Sequence, residues 1–442
     1  MSDFPHWPVR HTGEVFYVKG RIGWRNLRRS DFCEDGPYLI TGMHIDDSGR
    51  VDWDSCFRIP RRKYEESPEI QVQAGDLVIT KDGTIGKVGR IDWLPGETSL
   101  NSHLFLVRPI RPERCSVRFA FHVFTSPAFR RFIDSQKSGS TLAGLGEAKF
   151  VKFEFPVPRI GEQGRVSSIL DTLDTGIRES EAIIAKLMAT KQGLLHDLLT
   201  RGIDANGELR PPQAEAPHLY KESPLGAIPK EWDVATLESV SSMVTSGSRD
   251  WARFYADSGA LFVRIGNLTR EHINFRYDST VFVRPPRNAD GQRTRLEPGD
   301  ILISITADLG IVGVVPDGIG EAYINQHIAL VRPNLGIINP RFVGHYLASS
   351  VAQTYISKLN DAGAKAGLNL PTVRGLVTVK PERVEQDLIT ARLDEIDNRI
   401  QHAETESAKL RELKAGLMDD LLTGRVRVTR LLDEAEPQDG SV

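Results

Sequence analysis

Two long stretches of the chain carry apolar residues at steps of three, four and seven. In the first, Ile169, Leu173, Ile177, Ile184, Leu187, Leu194 and Leu198 fall on one stripe. In the second, Leu393, Ile396, Ile400, Ala403, Leu410, Leu413, Leu417 and Leu421 do the same. This spacing keeps one helix face apolar, in the manner of a coiled-coil seam. Neither stretch contains proline, and Gly202 and Gly424 stand where each should stop. Residues 170–200 and 393–423 align without a gap at an offset of 223. A helix of roughly 35 residues is about 50 Å long. Each stripe needs a partner, and the nearest is the other stripe. The pattern predicts an antiparallel pair with Leu187, Leu194, Leu198, Leu410, Leu417 and Leu421 in its seam.

Elsewhere the pattern is that of short strands between turns. Residues 1–158 hold GEVFYV (13–18), GPYLITGMHI (36–45), GDLVIT (75–80), GKVGRI (86–91), HLFLVRPI (103–110) and KFEFPVP (152–158), separated by Gly, Asp and Pro. A helix is expected at 117–135, with Pro127 beginning or kinking its second part. The same order returns in 230–383. GDLVITKDGTIGKVG at 75–89 matches GDILISITADLGIVG at 299–313, NSHLFLVRP at 101–109 matches NQHIALVRP at 325–333, and RFAFHVFTS at 118–126 matches RFVGHYLAS at 341–349. The offsets stay at 223 or 224, so one unit has been duplicated. The expected fold is α+β: two β-rich blocks (1–158 and 230–383), each followed by a long helix (159–204 and 384–424). The helices would form an antiparallel coiled coil with pseudo-twofold symmetry. A proline-rich linker is expected at 205–229 and a tail at 425–442.

Composition narrows the class. Forty per cent apolar and 26% charged residues suit a soluble globular chain, and no run is long or apolar enough to suggest a membrane span or a leader. Cytoplasm is the default compartment. Three cysteines without a CxxC suggest neither a disulfide framework nor a zinc site. Net charge is −3, but it is unevenly spread. Residues 1–150 hold 22 Lys+Arg against 19 Asp+Glu, and 249–383 hold 16 against 12. Residues 384–424 hold 5 against 10. The positive excess lies in the blocks, where it can steer a polyanion.

No catalytic constellation emerges: there is no phosphate-binding loop, no dinucleotide fingerprint, no metal-protease or nucleophile-elbow motif. Catalytic, cofactor-binding and metal residues are therefore expected to be none. His103 and His327 occupy matched positions before a strand, which suits a structural hydrogen bond. The GD pairs at 75–76 and 299–300 suit turns. Features shared by the halves build the frame, so reading surfaces should lie where the halves differ. The candidates for DNA contact are Lys19, Arg21, Trp24, Arg25, Arg28, Arg29, Arg61, Arg62, Lys63, Lys81 and Lys87 in the first block. In the second they are Ser248, Arg249, Arg253, Arg287, Asn288, Gln292, Arg293 and Arg295. Arg, Lys, Asn and Gln are the side chains that contact base edges, and Lys and Arg hold phosphates.

The helix ends KQGLLHDLLT and KAGLMDDLLTGRVRV, the opening SPLGAIPKEWDVATLESV, and the runs FVRIGNL, GDILIS and INQHIALVRP resemble the specificity subunit of a type I restriction–modification enzyme. The resemblance covers essentially the whole chain. It implies two target recognition domains, each reading half of a split, asymmetric double-stranded DNA target, with the long helices as spacers. It implies two methyltransferase subunits and restriction subunits as partners, and S-adenosylmethionine, ATP and Mg on those partners rather than here. The first half departs from the pattern in lacking a P-x-x-W-x-x-x-x-L stretch like Pro229–Leu237. The competing reading is a twofold coiled-coil scaffold that bridges proteins without reading DNA.

Overall fold

The computed structural model describes residues 7–21, 29–137, 144–249, 251–285, 292–306, 308–361 and 368–428. Two continuous helices dominate, Ile160–Thr200 and Arg383–Leu422. Each ends at a glycine with positive φ, Gly202 (67°) and Gly424 (75°). Glycine is needed there twice over, because an added Cβ would meet the ring of Trp232 or of Trp7.

The chain divides into two compact units, Met1–Glu179 with Ser407–Val442, and Ser180–Glu406. Both long helices are therefore shared, half to each unit. In unit 1 the start of the first helix lies beside the end of the second: a Cβ on Gly176 would touch Leu410, and Asp174 meets Lys414. In unit 2 the end of the first lies beside the start of the second, with Leu187 packed on Ile396 and Ile400. The pairing is antiparallel in each unit. Of the two leucine triplets, Leu187, Leu194 and Leu198 belong to unit 2, and Leu410, Leu417 and Leu421 to unit 1. Leu198 and Leu421 are buried, but Leu413, on the expected stripe, is 52% exposed.

The block of unit 1 contains β1 (Val9–His11), β2 (Phe16–Gly20), β3 (Tyr38–Ile40), β4 (Phe57–Arg58), β5 (Leu77–Thr80), β6 (Val88–Arg90), β7 (Thr98–Leu100), β8 (Leu104–Pro109) and β9 (Glu154–Pro156). One sheet runs β2-β8-β5-β6, a second β4-β3-β7, and β1 pairs with β9. The expected strand at 13–18 starts later, because Thr12–Val15 forms a helical turn. The expected helix at 117–135 is two helices, Val117–Thr125 and Pro127–Lys137, broken where proline removes a backbone donor.

The block of unit 2 contains β10 (Tyr220–Ser223), β11 (Gly226–Pro229), β12 (Asp233–Thr236), β13 (Ser241–Ser246), β14 (Tyr255–Ala256), β15 (Ala260–Val263), β16 (Phe282–Val283), β17 (Ile301–Ser304), β18 (Val312–Val314), β19 (Ala322–Ile324), β20 (Ile328–Pro333) and β21 (Val377–Lys380). Its main sheet, β13-β20-β17-β18, repeats the order of β2-β8-β5-β6, and β12 pairs with β21 as β1 does with β9. Residues 205–229 are folded rather than a free tether: β10 and β11 form a hairpin, and Arg210 reaches Glu385.

The cores repeat as well. In unit 1, Phe119, Phe124 and Phe150 pack with Val166 and Leu170 of the first helix and Met418, Leu421 and Leu422 of the second. In unit 2, Phe342 and Leu347 pack with Ile389 and Leu393 of the second helix and Leu195, Leu198 and Leu199 of the first. Fully burying one such side chain contributes about 1.5–3 kcal/mol. Each block is thus fused to both helices by apolar surface.

Candidate nucleic-acid interface

The GD and VRP motifs turn out to be one device. Asp76, 1% exposed, takes two hydrogen bonds from Arg108 at 2.7 Å, and Asp300 takes two from Arg332 at 2.8 Å. These arginines are consumed by the frame.

At one end of each main sheet, loops converge on a shared scaffold. In unit 1 the Lys81 amide donates to the His103 carbonyl at 2.9 Å, and the Leu145 amide donates to the Lys81 carbonyl at 2.6 Å. In unit 2 the Ile305 amide donates to the His327 carbonyl, and Leu368 donates to Ile305. Each matched histidine has a side-chain partner: His103 Nδ1 meets Asp82 at 2.5 Å, and His327 Nδ1 meets Thr306. The side chains on this scaffold differ. Lys81, its ammonium 5.3 Å from the Phe105 ring, stands where unit 2 has Ile305, and Asp82 where it has Thr306.

The structure brings Lys19, Arg21, Lys63 and Lys81 together at that end of unit 1. Arg21 donates to the Lys63 carbonyl at 3.1 Å, and Lys81 Nζ lies 3.1 Å from where a Cβ on Gly20 would stand. Lys19 pairs with Glu147 at 2.6 Å, and this hydrogen bond raises its pKa. Arg61, Arg62 and Lys63 lie on or beside a short helix with acid partners: Glu97 for Arg61 and Glu66 for the other two. Lys87 lies apart, 3.4 Å from Asp47. Arg25, Arg28 and Trp24 lie outside the described residues, as do Arg287 and Asn288, and Arg29 opens a helical turn.

In unit 2, Arg293 donates to Ser248 Oγ and the Ser246 carbonyl, both at 2.7 Å, so Arg293 and Ser248 meet. Arg253 stacks over Phe254 at 4.9 Å. Gln292, Arg249 and Arg295 are exposed. Among the described residues, Lys81, Arg249, Arg253 and Arg295 make no ion pair. They are the candidates whose charge is available to phosphate.

A second, internal constellation is not evident from residue type. On the first long helix, Asp171 accepts from buried His122 Nε2 at 2.7 Å and from Arg118 Nε at 2.8 Å. One turn on, Asp174 lies 4.0 Å from His122 Nδ1 and takes the ammonium of Lys414. Unit 2 repeats every member. Asp394 accepts from His345 at 2.7 Å and Arg341 at 2.6 Å; Asp397 lies 3.9 Å from His345 Nδ1 and 2.6 Å from Lys191. Burial raises the Asp171 pKa, but hydrogen bonds from His122 and Arg118 outweigh it and bring it to about 2. Burial of His345 lowers its pKa against the pull of Asp394.

The ligand atoms of His122, Asp171 and Asp174 lie within 4.8 Å of one another, a spacing that could hold a metal ion. Here Arg118 and Lys414 already neutralise the two carboxylates, and Lys191 and Arg341 do so at the equivalent place. The signal was present in the sequence, since all five pairs sit at an offset of 223 within or beside the matched segments.

The missing tryptophan motif of the first half is also filled. Trp7, 8% exposed, packs on Gly424 and lies under the Arg427 guanidinium at 4.7 Å, while Arg427 bonds Glu162 at 3.0 Å. Trp232, Gly202, Arg210 and Glu385 make the same arrangement in unit 2.

Residues 6–189 match the family model described as the type I restriction modification DNA specificity domain. The putative type I restriction enzyme MjaX specificity subunit of Methanocaldococcus jannaschii is 22% identical over 96% of this chain and 94% of its own length. The MjaVIII specificity subunit of the same organism is 23% identical over 82% of each. The crystal structure of the type I restriction–modification S subunit from M. genitalium superposes with a TM-score of 0.60 at 15% identity, over 96% of this chain and 97% of that one, so the fold is shared. The chain is α+β with two β-rich blocks and long helices. Among the described residues, no helix is long and apolar enough to cross a membrane.

Proposed function

We propose that this chain is the recognition subunit of a type I restriction–modification complex, reading a two-part, asymmetric duplex target with one part per block. The observation that carries it is a repeated frame with unlike ends. The loops at Lys81 and Ile305 are held by the same backbone hydrogen bonds, yet one carries an ammonium and a carboxylate where the other carries a buried sec-butyl side chain and a hydroxyl. Two readers of one shape and different chemistry suit two different half-targets.

The chain supplies recognition, not catalysis. The two matched histidine–carboxylate clusters are each committed to arginine and lysine, and serve the frame. Methyl transfer and strand cleavage belong to methyltransferase and restriction subunits, which bring S-adenosylmethionine, ATP and Mg. The solvent faces of the long helices carry the acidic excess, and they are the docking surface for two methyltransferase subunits.

Titrating a duplex with the chain bound to its methyltransferase, at several salt concentrations, tests the DNA role. Counterion release predicts a steep fall of log affinity with log salt, by about 0.9 per phosphate engaged. A salt-independent or undetectable affinity favours the protein scaffold instead.

A further inference from the structure

A groove of about 1330 Å³ lies in unit 1, at the far end of its main sheet from the Lys81 loop. Strand β8 joins the two places. His103, just before its first residue, holds the Lys81 amide, while Ile110 and Arg111, just after its last, line the groove. The six residues of the strand separate them by roughly 20 Å.

Four arginines line the groove: Arg10, Arg111, Arg114 and Arg159. All four are exposed, and among the described residues none of their side chains has a hydrogen-bond or ion-pair partner. Glu14 and Glu113 also line it, so cations remain in excess. The first turn of the Ile160–Thr200 helix opens there too, and its dipole adds to the positive field. The remaining surface is apolar. Trp7 and Cys115 are buried in the lining, and the side chains of Ile110 and Ile160 are about half exposed.

The duplication supplies a contrast. The Arg111 carbonyl accepts from the backbone amides of Arg114 and Cys115, as the Asn334 carbonyl does from those of Ile337 and Ile338. Arg10 pairs with Phe155 where Ala235 pairs with Thr378. The Arg159 carbonyl accepts from the Gln163 amide, as that of Glu382 does from Gln386. The four arginines thus stand where unit 2 has Ala235, Asn334, Ile337 and Glu382. A feature of the frame would appear in both units, whereas this charge belongs to unit 1.

We propose that the groove binds an acidic segment of a partner protein, one copy per chain. Its carboxylates meet the arginines, since a guanidinium holds a carboxylate through two parallel hydrogen bonds. Its aliphatic side chains cover the apolar lining. A nucleic-acid strand fits less well: it brings no aliphatic side chains, and the aromatic residue of the lining, Trp7, is buried and offers no face for a base to stack on. The helix faces assigned above to methyltransferase docking are acidic, so this groove suits a contact of the opposite charge.

The test titrates the full chain with a short fluorescent peptide of glutamates and leucines, beside a counterpart with glutamine in place of glutamate. One acidic peptide should bind per chain, more weakly as salt rises, and the glutamine peptide should bind about tenfold less tightly. Arg111→Ala/Arg114→Ala should weaken the acidic peptide about tenfold, while duplex affinity measured with the methyltransferase stays unchanged. Arg10→Ala/Arg159→Ala should do the same, and carries the test if the first variant does not fold. A peptide that fails to bind the wild-type chain, binds both variants as tightly, or binds twice per chain overturns the inference. Loss of duplex affinity in either variant makes the groove a phosphate site and overturns it too.

Discussion

Lys191 and Asp397 meet at 2.6 Å inside unit 2, with the ammonium 3% and the carboxylate 0% exposed. The Lys191 ammonium also donates to the Glu271 carbonyl at 2.9 Å, and Asp397 accepts from the Ile273 amide at 2.9 Å. The ion pair thus stands among backbone hydrogen bonds, although Asp397 Oδ1 itself lacks a well-angled one. Breaking such a pair from one side leaves a buried charge, which costs about 3–5 kcal/mol. Lys191→Met should lose stability on that scale in urea unfolding, and Lys191→Met/Asp397→Asn should recover a large part of it. Equal losses in the single and double variants would contradict a paired charge.

The Asp171 carboxyl is held at about 2, below its usual value near 3.8. A carboxyl lowered on folding stabilises the fold above its unfolded pKa, and that contribution fades as pH falls toward the folded value. Asp394 is lowered in the same direction by His345 and Arg341 against burial. Acid unfolding between about pH 4 and pH 2 should therefore be less steep for Asp171→Asn than for wild type. An unchanged acid limb would show that the carboxylate contributes nothing.

The two tryptophans give a matched comparison. Trp232 Nε1 donates to Glu385 at 3.0 Å, whereas buried Trp7 Nε1 has no acceptor among the described residues. Trp232→Phe leaves a buried carboxylate short of a donor, and should cost about 1–2 kcal/mol more than Trp7→Phe. Melting curves of the two variants decide it, and equal shifts would remove the hydrogen bond from the account.

These sites show what could be read in the chain and what could not. The long helices, the duplication and the strand order follow from periodicity and a constant offset, because burial imposes both patterns on the sequence. The leucine seam was legible as a stripe, but not its allocation: Leu187 and Leu410 lie in different units, a consequence of antiparallel pairing that periodicity does not carry. The His122 and His345 clusters follow no catalytic spacing in the sequence, because side chains 49 residues apart meet only after folding. Trp7 was missed because its neighbours differ from those of Trp232, although both meet a glycine at a helix end. Among the arginines and lysines chosen by type, partnership was invisible: Arg61 is tied to Glu97, while Lys81 is not tied to an acid.

That distinction predicts which cations bind DNA. Lys81→Ala or Arg249→Ala should each lower duplex affinity and reduce the salt slope by about one phosphate contact. Arg61→Ala, which loses a guanidinium already bonded to Glu97, should change the slope by less. Titrations at several salt concentrations measure both, and an Arg61 effect exceeding that of Lys81 would reverse the assignment.

The central claim is that each block reads its own half-target on a common frame. The direct measurement is methylation mapping of the complex before and after residues 1–158 are replaced by the first block of a similar specificity subunit. One half of the split target should change while the other half stays the same. A change in both halves, or in neither, would contradict the account.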